Sequence, residues 1–182
     1  MAAMQQGTLY TIGHSTRPWD DFVGLLREHA IACLVDVRRF AGSRRNPQFS
    51  PVDMGQALPA AGIGYLPMPE FGGRRKADPD SANGAWRVEA FRGYADYMAS
   101  DEFALARERL MRQAQEARTS VMCAEAVWWR CHRRLIADDF TARGWHVQHI
   151  MAPGKLQLHE LNADARMQGD HLVYPPTQPQ LL

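Results

Sequence analysis

One short stretch gathers most of the reactive side-chain types in this chain: Cys123-Ala-Glu125, five residues, then Cys131-His132-Arg133. A strand ending at Cys123 that turns through a short loop into a helix opening at Cys131 would set a thiol at a helix N-terminus. There, partial positive charge and free N–H groups bind anions and lower a thiol pKa. His132 and Arg133 would reinforce that field, so Cys131 is a candidate nucleophile or redox group and Arg133 a candidate anion ligand. Glu125, just past a buried strand, is a candidate general base, as is His14, which follows Leu9-Tyr10-Thr11-Ile12-Gly13. Two residues keep two readings. On a helical wheel His132 falls between Leu135 and Ile136, which fits a packed core histidine as well as a catalytic one. Cys123 fits a buried inert thiol or a second nucleophile, and Cys33 fits the core. A Cys-x5-Arg phosphate loop starting at Cys123 requires arginine at 129, where Trp129 stands. Two cysteines eight apart beside one histidine match no standard structural zinc set, so no metal ligand is assigned.

The residues that could hold an anion lie in two other stretches. Asp36-Val-Arg38-Arg39-Phe40-Ala41-Gly42-Ser43-Arg44-Arg45 sets four arginines against one aspartate. Guanidinium forks and a serine hydroxyl match phosphate oxygens, although a solvated loop with one arginine paired to Asp36 satisfies the same pattern. Between Pro67 and Trp86, Gly72-Gly73-Arg74-Arg75-Lys76 has the composition of a hinged basic lid. Candidate substrate ligands are therefore Ser15, Asp36, Arg38, Ser43, Arg44, Arg74 and Arg133.

The elements that must position these groups alternate. Leu9–Ile12, Ile31–Val37, Gly64–Met68, Ser120–Cys123 and Trp145–Ile150 read as five strands. The segments Pro18–His29, Val52–Ala61, Arg87–Met98, the stretch from Ser100 and Cys131–Ala142 read as helices, the last stopped by Gly144. Such alternation predicts an α/β fold: a mostly parallel five-stranded sheet flanked by helices, a Rossmann-like three-layer arrangement. Folds of this class bind ligands beyond the carboxyl ends of their strands, near a topological switch point.

The chain has 182 residues and a formal net charge of +1, which suits one domain and excludes a globally basic nucleic-acid coat. Of 21 basic side chains only Lys76 and Lys155 are lysines, so arginine supplies the other 19 (21 − 2). Arginine binds planar anions bidentately in a way lysine cannot. An odd cysteine count and no signal-peptide pattern predict a cytoplasmic protein, and no apolar run approaches the ~18 residues of a membrane span. The expected organisation is an extension over residues 1–7, one domain over 8–175 and a proline-rich tail over 176–182.

Thr11-Ile-Gly-His-Ser15, Val35-Asp-Val-Arg38 with Ser43-Arg44, Gly72-Gly73, Cys123-Ala-Glu125, Cys131-His-Arg133 and Val147-x-His149-Ile150 occur in an order that resembles the domain of unknown function 488 family, bacterial and archaeal proteins. The resemblance spans residues 8 to 175 and implies a single α/β domain with these motifs around one site. It supplies no reaction. Ala41 and Trp128 stand where the family pattern has proline, which exchanges stiff positions for freer ones and adds a large ring at the loop mouth. Three functions fit the residues. The first is an enzyme, hydrolase or transferase, acting on a phosphorylated or other anionic substrate, nucleotide or nucleic acid. The others are a non-catalytic nucleotide or nucleic-acid binding module, and a metalloprotein using a Cys/His/Glu site. Cofactor and oligomeric state are not legible.

Overall fold

A computed structural model describes residues 6–42 and 44–177. Strand β1 (Thr8–Gly13) is followed by helix α1 (Trp19–Glu28), β2 (Cys33–Asp36), α2 (Pro51–Ala60), β3 (Gly64–Pro67), α3 (Glu89–Tyr97), α4 (Asp101–Glu116), β4 (Thr119–Cys123), α5 (Arg133–Ala142) and β5 (His146–Ala152). Among the described residues three further strands follow, β6 (Lys155–Leu158), β7 (Arg166–Gln168) and β8 (His171–Val173). The main sheet runs β3-β2-β4-β1-β5-β6; its first five strands are mutually parallel and β6 is antiparallel to β5. Strands β7 and β8 pair as a separate ribbon.

The central strands β1, β2 and β4 are buried almost throughout, as expected of a parallel sheet covered on both faces. Alternation along β1 sorts the core into two layers. Tyr10 and Ile12 face Phe22, Leu26, Met54 and Leu58 of α1 and α2. Leu9 belongs to the opposite layer, with Tyr94, Phe103, Leu110, Leu135 and Phe140 of α3, α4 and α5. The expected three-layer α/β architecture is therefore present. Side-chain caps mark two helix starts: Ser50 accepts from the Asp53 N–H and Ser100 from the Phe103 N–H.

Three strands went unexpected. All four residues of β6 are exposed, so no buried alternation marks it; its one local signal is the turn Pro153-Gly154, with Gly154 at φ 71°. Strands β7 and β8 are three residues each, too short for a period. The parallel strands and helices matched expectation to within a residue or two; for α5, which begins at Arg133, that difference leaves Cys131 and His132 in the turn before it.

This order places the switch point. From β1 the chain crosses over β4 to β2, with α1 on one face; from β4 it crosses over β1 to β5, with α5 on the other. Neighbouring strands β1 and β4 thus send their chains to opposite faces, which opens a crevice beyond their carboxyl ends.

Candidate active site

The loop from β4 to α5 occupies that crevice. Its backbone is tied to the end of β1: the His14 N–H donates to the Cys123 carbonyl at 2.9 Å and the Ser15 N–H to that of Ala124 at 3.0 Å. The fit requires glycine at the end of β1, because a Cβ on Gly13 would lie 1.7 Å from the Glu125 carbonyl oxygen.

Three groups meet at one sulfur. Cys131 Sγ lies 2.8 Å from Cys123 Sγ and 3.5 Å from His132 Nδ1, and accepts from the Arg133 N–H at 3.5 Å. His132 Nε2 is 3.2 Å from the Val37 carbonyl, which can only accept, so the ring proton sits on Nε2. Nδ1 is then an unprotonated base facing the thiol. Gly73 closes over this ring, since a Cβ there would be 3.0 Å from His132 Nδ1.

Arg133 is 1% exposed, and among the described residues no carboxylate forms a salt bridge with it. It donates instead to neutral acceptors, Thr11 Oγ1 at 3.1 Å and the Glu125 carbonyl at 2.8 Å, and its Nε has no hydrogen-bond partner. A buried cation without a counter-ion favours an anion beside it. Burial alone would raise the Cys131 pKa, but a hydrogen bond from Cys123 and the charge and N–H of Arg133 outweigh it and bring the thiol down to about 7. Burial, together with the hydrogen bond and charge of Cys131, drives Cys123 the opposite way, so the proton between the sulfurs stays on Cys123. Burial also lowers His132, which keeps it neutral.

Arg133 is itself held from behind by a buried relay. Thr11 Oγ1 is 2.6 Å from His149 Nδ1, His149 Nε2 is 2.9 Å from His159 Nδ1, and His159 Nε2 is 2.7 Å from Asp138 Oδ1. Tyr174 donates to the other Asp138 oxygen at 2.8 Å. The links can run in one direction, with Arg133 donating to the Thr11 hydroxyl, Thr11 to His149 Nδ1 and His149 Nε2–H to His159 Nδ1, and the chain ending on Asp138. Burial above all, with the charge of Arg133 acting in the same direction, pushes the His149 pKa down to about 2. Trp128 stacks flat on His149, with centroids 4.5 Å apart and planes 5° apart. The ring expected at the loop mouth therefore folds inward as the lid of this relay. His159 and Tyr174 carry no mark in the sequence because they lie far from the motif along the chain, and Asp138, five residues past Arg133, reads as an ordinary polar position of α5.

A cavity of about 280 Å³ opens onto Cys123 and Cys131. Arg38, Arg39, Phe40, Gly73, Arg74, Phe91, Glu125, Arg130 and His132 also line it. Phe40, 61% exposed, lies between two guanidinium groups, Arg39 and Arg74, at 5.4 and 5.3 Å from its centroid. Arg39 and Arg130 were not among the candidate ligands read from the sequence; a local excess of arginine was their only signal.

Of the sequence candidates, Cys123, Glu125, Cys131, His132, Arg38 and Arg74 reach the cavity wall. Glu125 is exposed there and serves the buried network through its backbone carbonyl. Arg133 stands behind Cys131. Asp36 and Arg38 satisfy each other in a buried fork, Nε to Oδ1 at 2.9 Å and NH2 to Oδ2 at 2.7 Å. Tyr65 and the Phe49 carbonyl take further positions on that pair. His14 is buried and stacked on Phe49, with Nδ1 on the Ser15 carbonyl and Nε2 accepting from Arg38, and burial lowers its pKa. This geometry gives Asp36 and His14 internal partners and places them outside the cavity lining. Ser15 and Arg44 also lie outside that lining, and Ser43 lies outside the described residues. Among the described residues no group of three or more His, Cys, Asp or Glu side chains is arranged to hold a metal ion.

The fold and site define a three-layer α/β protein with a paired-thiol centre at its strand-end switch point. A sequence model described as "Domain of unknown function DUF488" matches residues 18–140, more than half of the chain, and the chain belongs to that family. No curated protein matches the chain. No solved structure matches it either. No helix among the described residues is long and apolar enough to cross a membrane.

Proposed function

We propose that the chain is an enzyme that uses Cys131 as a nucleophile on a small phosphorylated substrate of about nucleotide size. The observation that carries this reading is the buried Arg133, which has no carboxylate partner among the described residues and stands behind Cys131, itself in the wall of an arginine-lined cavity. In this reading His132 Nδ1 accepts the thiol proton and returns it to the leaving group as Cys131 attacks phosphorus. Water then releases the phosphoryl group from sulfur, with His132 again taking the proton. Arg39, Arg74 and Arg130 bind the anion, and Phe40 offers a face for a base. The cavity volume favours a single nucleotide over a nucleic-acid strand.

Carboxymethylation tests the reading whichever nucleotide is the substrate. Relative to a free thiol in solution, Cys131 is expected to favour anionic iodoacetate over neutral iodoacetamide by about tenfold, the effect of roughly 1.4 kcal/mol. Nucleoside monophosphates should protect it, and Arg74→Ala with Arg130→Ala should erase both effects. No preference and no protection at millimolar nucleotide would refute the reading.

A further inference from the structure

The paired sulfurs carry more than a nucleophile requires. Cys123 and Cys131 stand 2.8 Å apart, inside non-bonded contact and about 0.8 Å from the disulfide bond length of about 2.05 Å. Both line the same cavity, so a reagent that reaches one reaches the pair. Their surroundings differ. Cys131 sits in the turn before α5 beside His132 Nδ1 and the Arg133 N–H, while Cys123 ends a fully buried strand. One sulfur is thus equipped to attack, and the other is enclosed within reach to resolve. The segment joining them, residues 124–130, is mostly exposed and outside the sheet, so it can absorb the small approach.

We propose that Cys123 and Cys131 are a reversible dithiol–disulfide couple that reduces small disulfides carrying negative charge. The Cys131 thiolate attacks one sulfur of the substrate disulfide; that S–S bond breaks and the first thiolate leaves. Cys123 gives up its proton and attacks Cys131 Sγ, the mixed disulfide breaks, and the second thiolate leaves. The protein loses two electrons and the substrate gains two. The two protons from the protein thiols are carried by the two thiols released. A dithiol reductant returns the couple to its starting state. This inference shares the reactive Cys131 and the anion-binding cavity with the proposed function, but requires no phosphoryl transfer.

Stoichiometry tests it, in a Cys33→Ser background that removes a buried thiol at the opposite, amino end of the parallel strands. With the dianionic 5,5′-dithiobis(2-nitrobenzoate), this protein should release two aromatic thiolates per chain and end as a Cys123–Cys131 disulfide by peptide mass spectrometry. Adding Cys123→Ser should stop the reaction after one release, with a stable mixed disulfide on Cys131. Adding Cys131→Ser should slow the reaction at least tenfold. A Cys33→Ser protein that keeps the aromatic thiol attached overturns the couple, and that arm decides even if a double variant fails to fold. Comparison with neutral 2,2′-dithiodipyridine reads the charge requirement. Arg74→Ala should lower the preference for the dianion at least threefold, and an unchanged preference overturns the anionic substrate class. Loss of nucleotide protection with the two-thiolate release intact would instead refute the phosphate reading alone.

Discussion

Arg133 determines the character of the site at the scale of single residues. A guanidinium that is 1% exposed and, among the described residues, donates to a hydroxyl and a carbonyl but to no carboxylate is poorly compensated until a negative charge forms nearby. Cys131 can supply that charge because Cys123 holds the shared proton. Replacing the charge by a flexible apolar chain of similar reach should therefore act on the thiol. In Arg133→Met, the alkylation midpoint of Cys131 should rise from about 7 toward the ordinary 9.0, with Arg133→Lys intermediate. A rate–pH profile with iodoacetamide measures it; a midpoint unmoved in Arg133→Met would show that the cation does not set the thiol. The sequence displayed this partnership only as adjacency. Cys131-His-Arg133 announced a thiol with basic neighbours, but whether Arg133 met a carboxylate depended on residues more than a hundred positions away, such as Thr11.

At the scale of elements, the cavity rim holds one backbone feature that side-chain chemistry does not explain. Arg74 has φ 59°, a left-handed conformation that costs a non-glycine residue roughly 1 kcal/mol. It follows Gly73, whose lack of a side chain lets the segment close on His132. Glycine at 74 would relieve the backbone and remove a cation from the rim. Arg74→Gly should thus raise stability by up to about 1 kcal/mol in urea unfolding while weakening nucleotide protection of Cys131. A loss of both stability and protection would mean the side chain's stacking on Phe40 outweighs the backbone strain. The expected basic lid was legible as Gly-Gly-Arg-Arg-Lys, but its members diverge. Arg74 joins the cavity wall, whereas Arg75 stacks over Tyr97 at 3.7 Å and donates to the Gly72 carbonyl. A run of like charges shows where basic residues are, not which way each points.

For the whole molecule, the buried histidines couple the fold to pH. His149 is 0% exposed and is held neutral far below its ordinary 6.5, by burial above all. In the unfolded chain it takes up a proton below pH 6.5, which the folded chain refuses. The unfolded state then binds more protons, so stability is full above that pH and falls as the pH drops below it. At pH 5 the loss for this one group is roughly 2 kcal/mol. His14 and His132, also lowered chiefly by burial, act in the same direction. Urea midpoints should therefore decline between pH 7 and pH 5, and His149→Gln should show a shallower decline. Equal pH slopes in the two proteins would refute a neutral His149.

The layers of the fold were readable because each parallel strand and amphipathic helix writes its burial into local periodicity. The sequence by itself determined that reactive groups would fall at strand ends, since Cys123, Asp36 and His14 each close a short apolar run. Strand order is set by long-range pairing, and only the tertiary structure decided it. By inserting β4 between β1 and β2, that order brought Thr11 and Gly13 against the β4–α5 loop and made Cys131, Cys123, His132 and Arg133 one centre. The same packing turned Asp36 and Arg38 toward each other, because a buried carboxylate and guanidinium two residues apart satisfy one another before any ligand arrives.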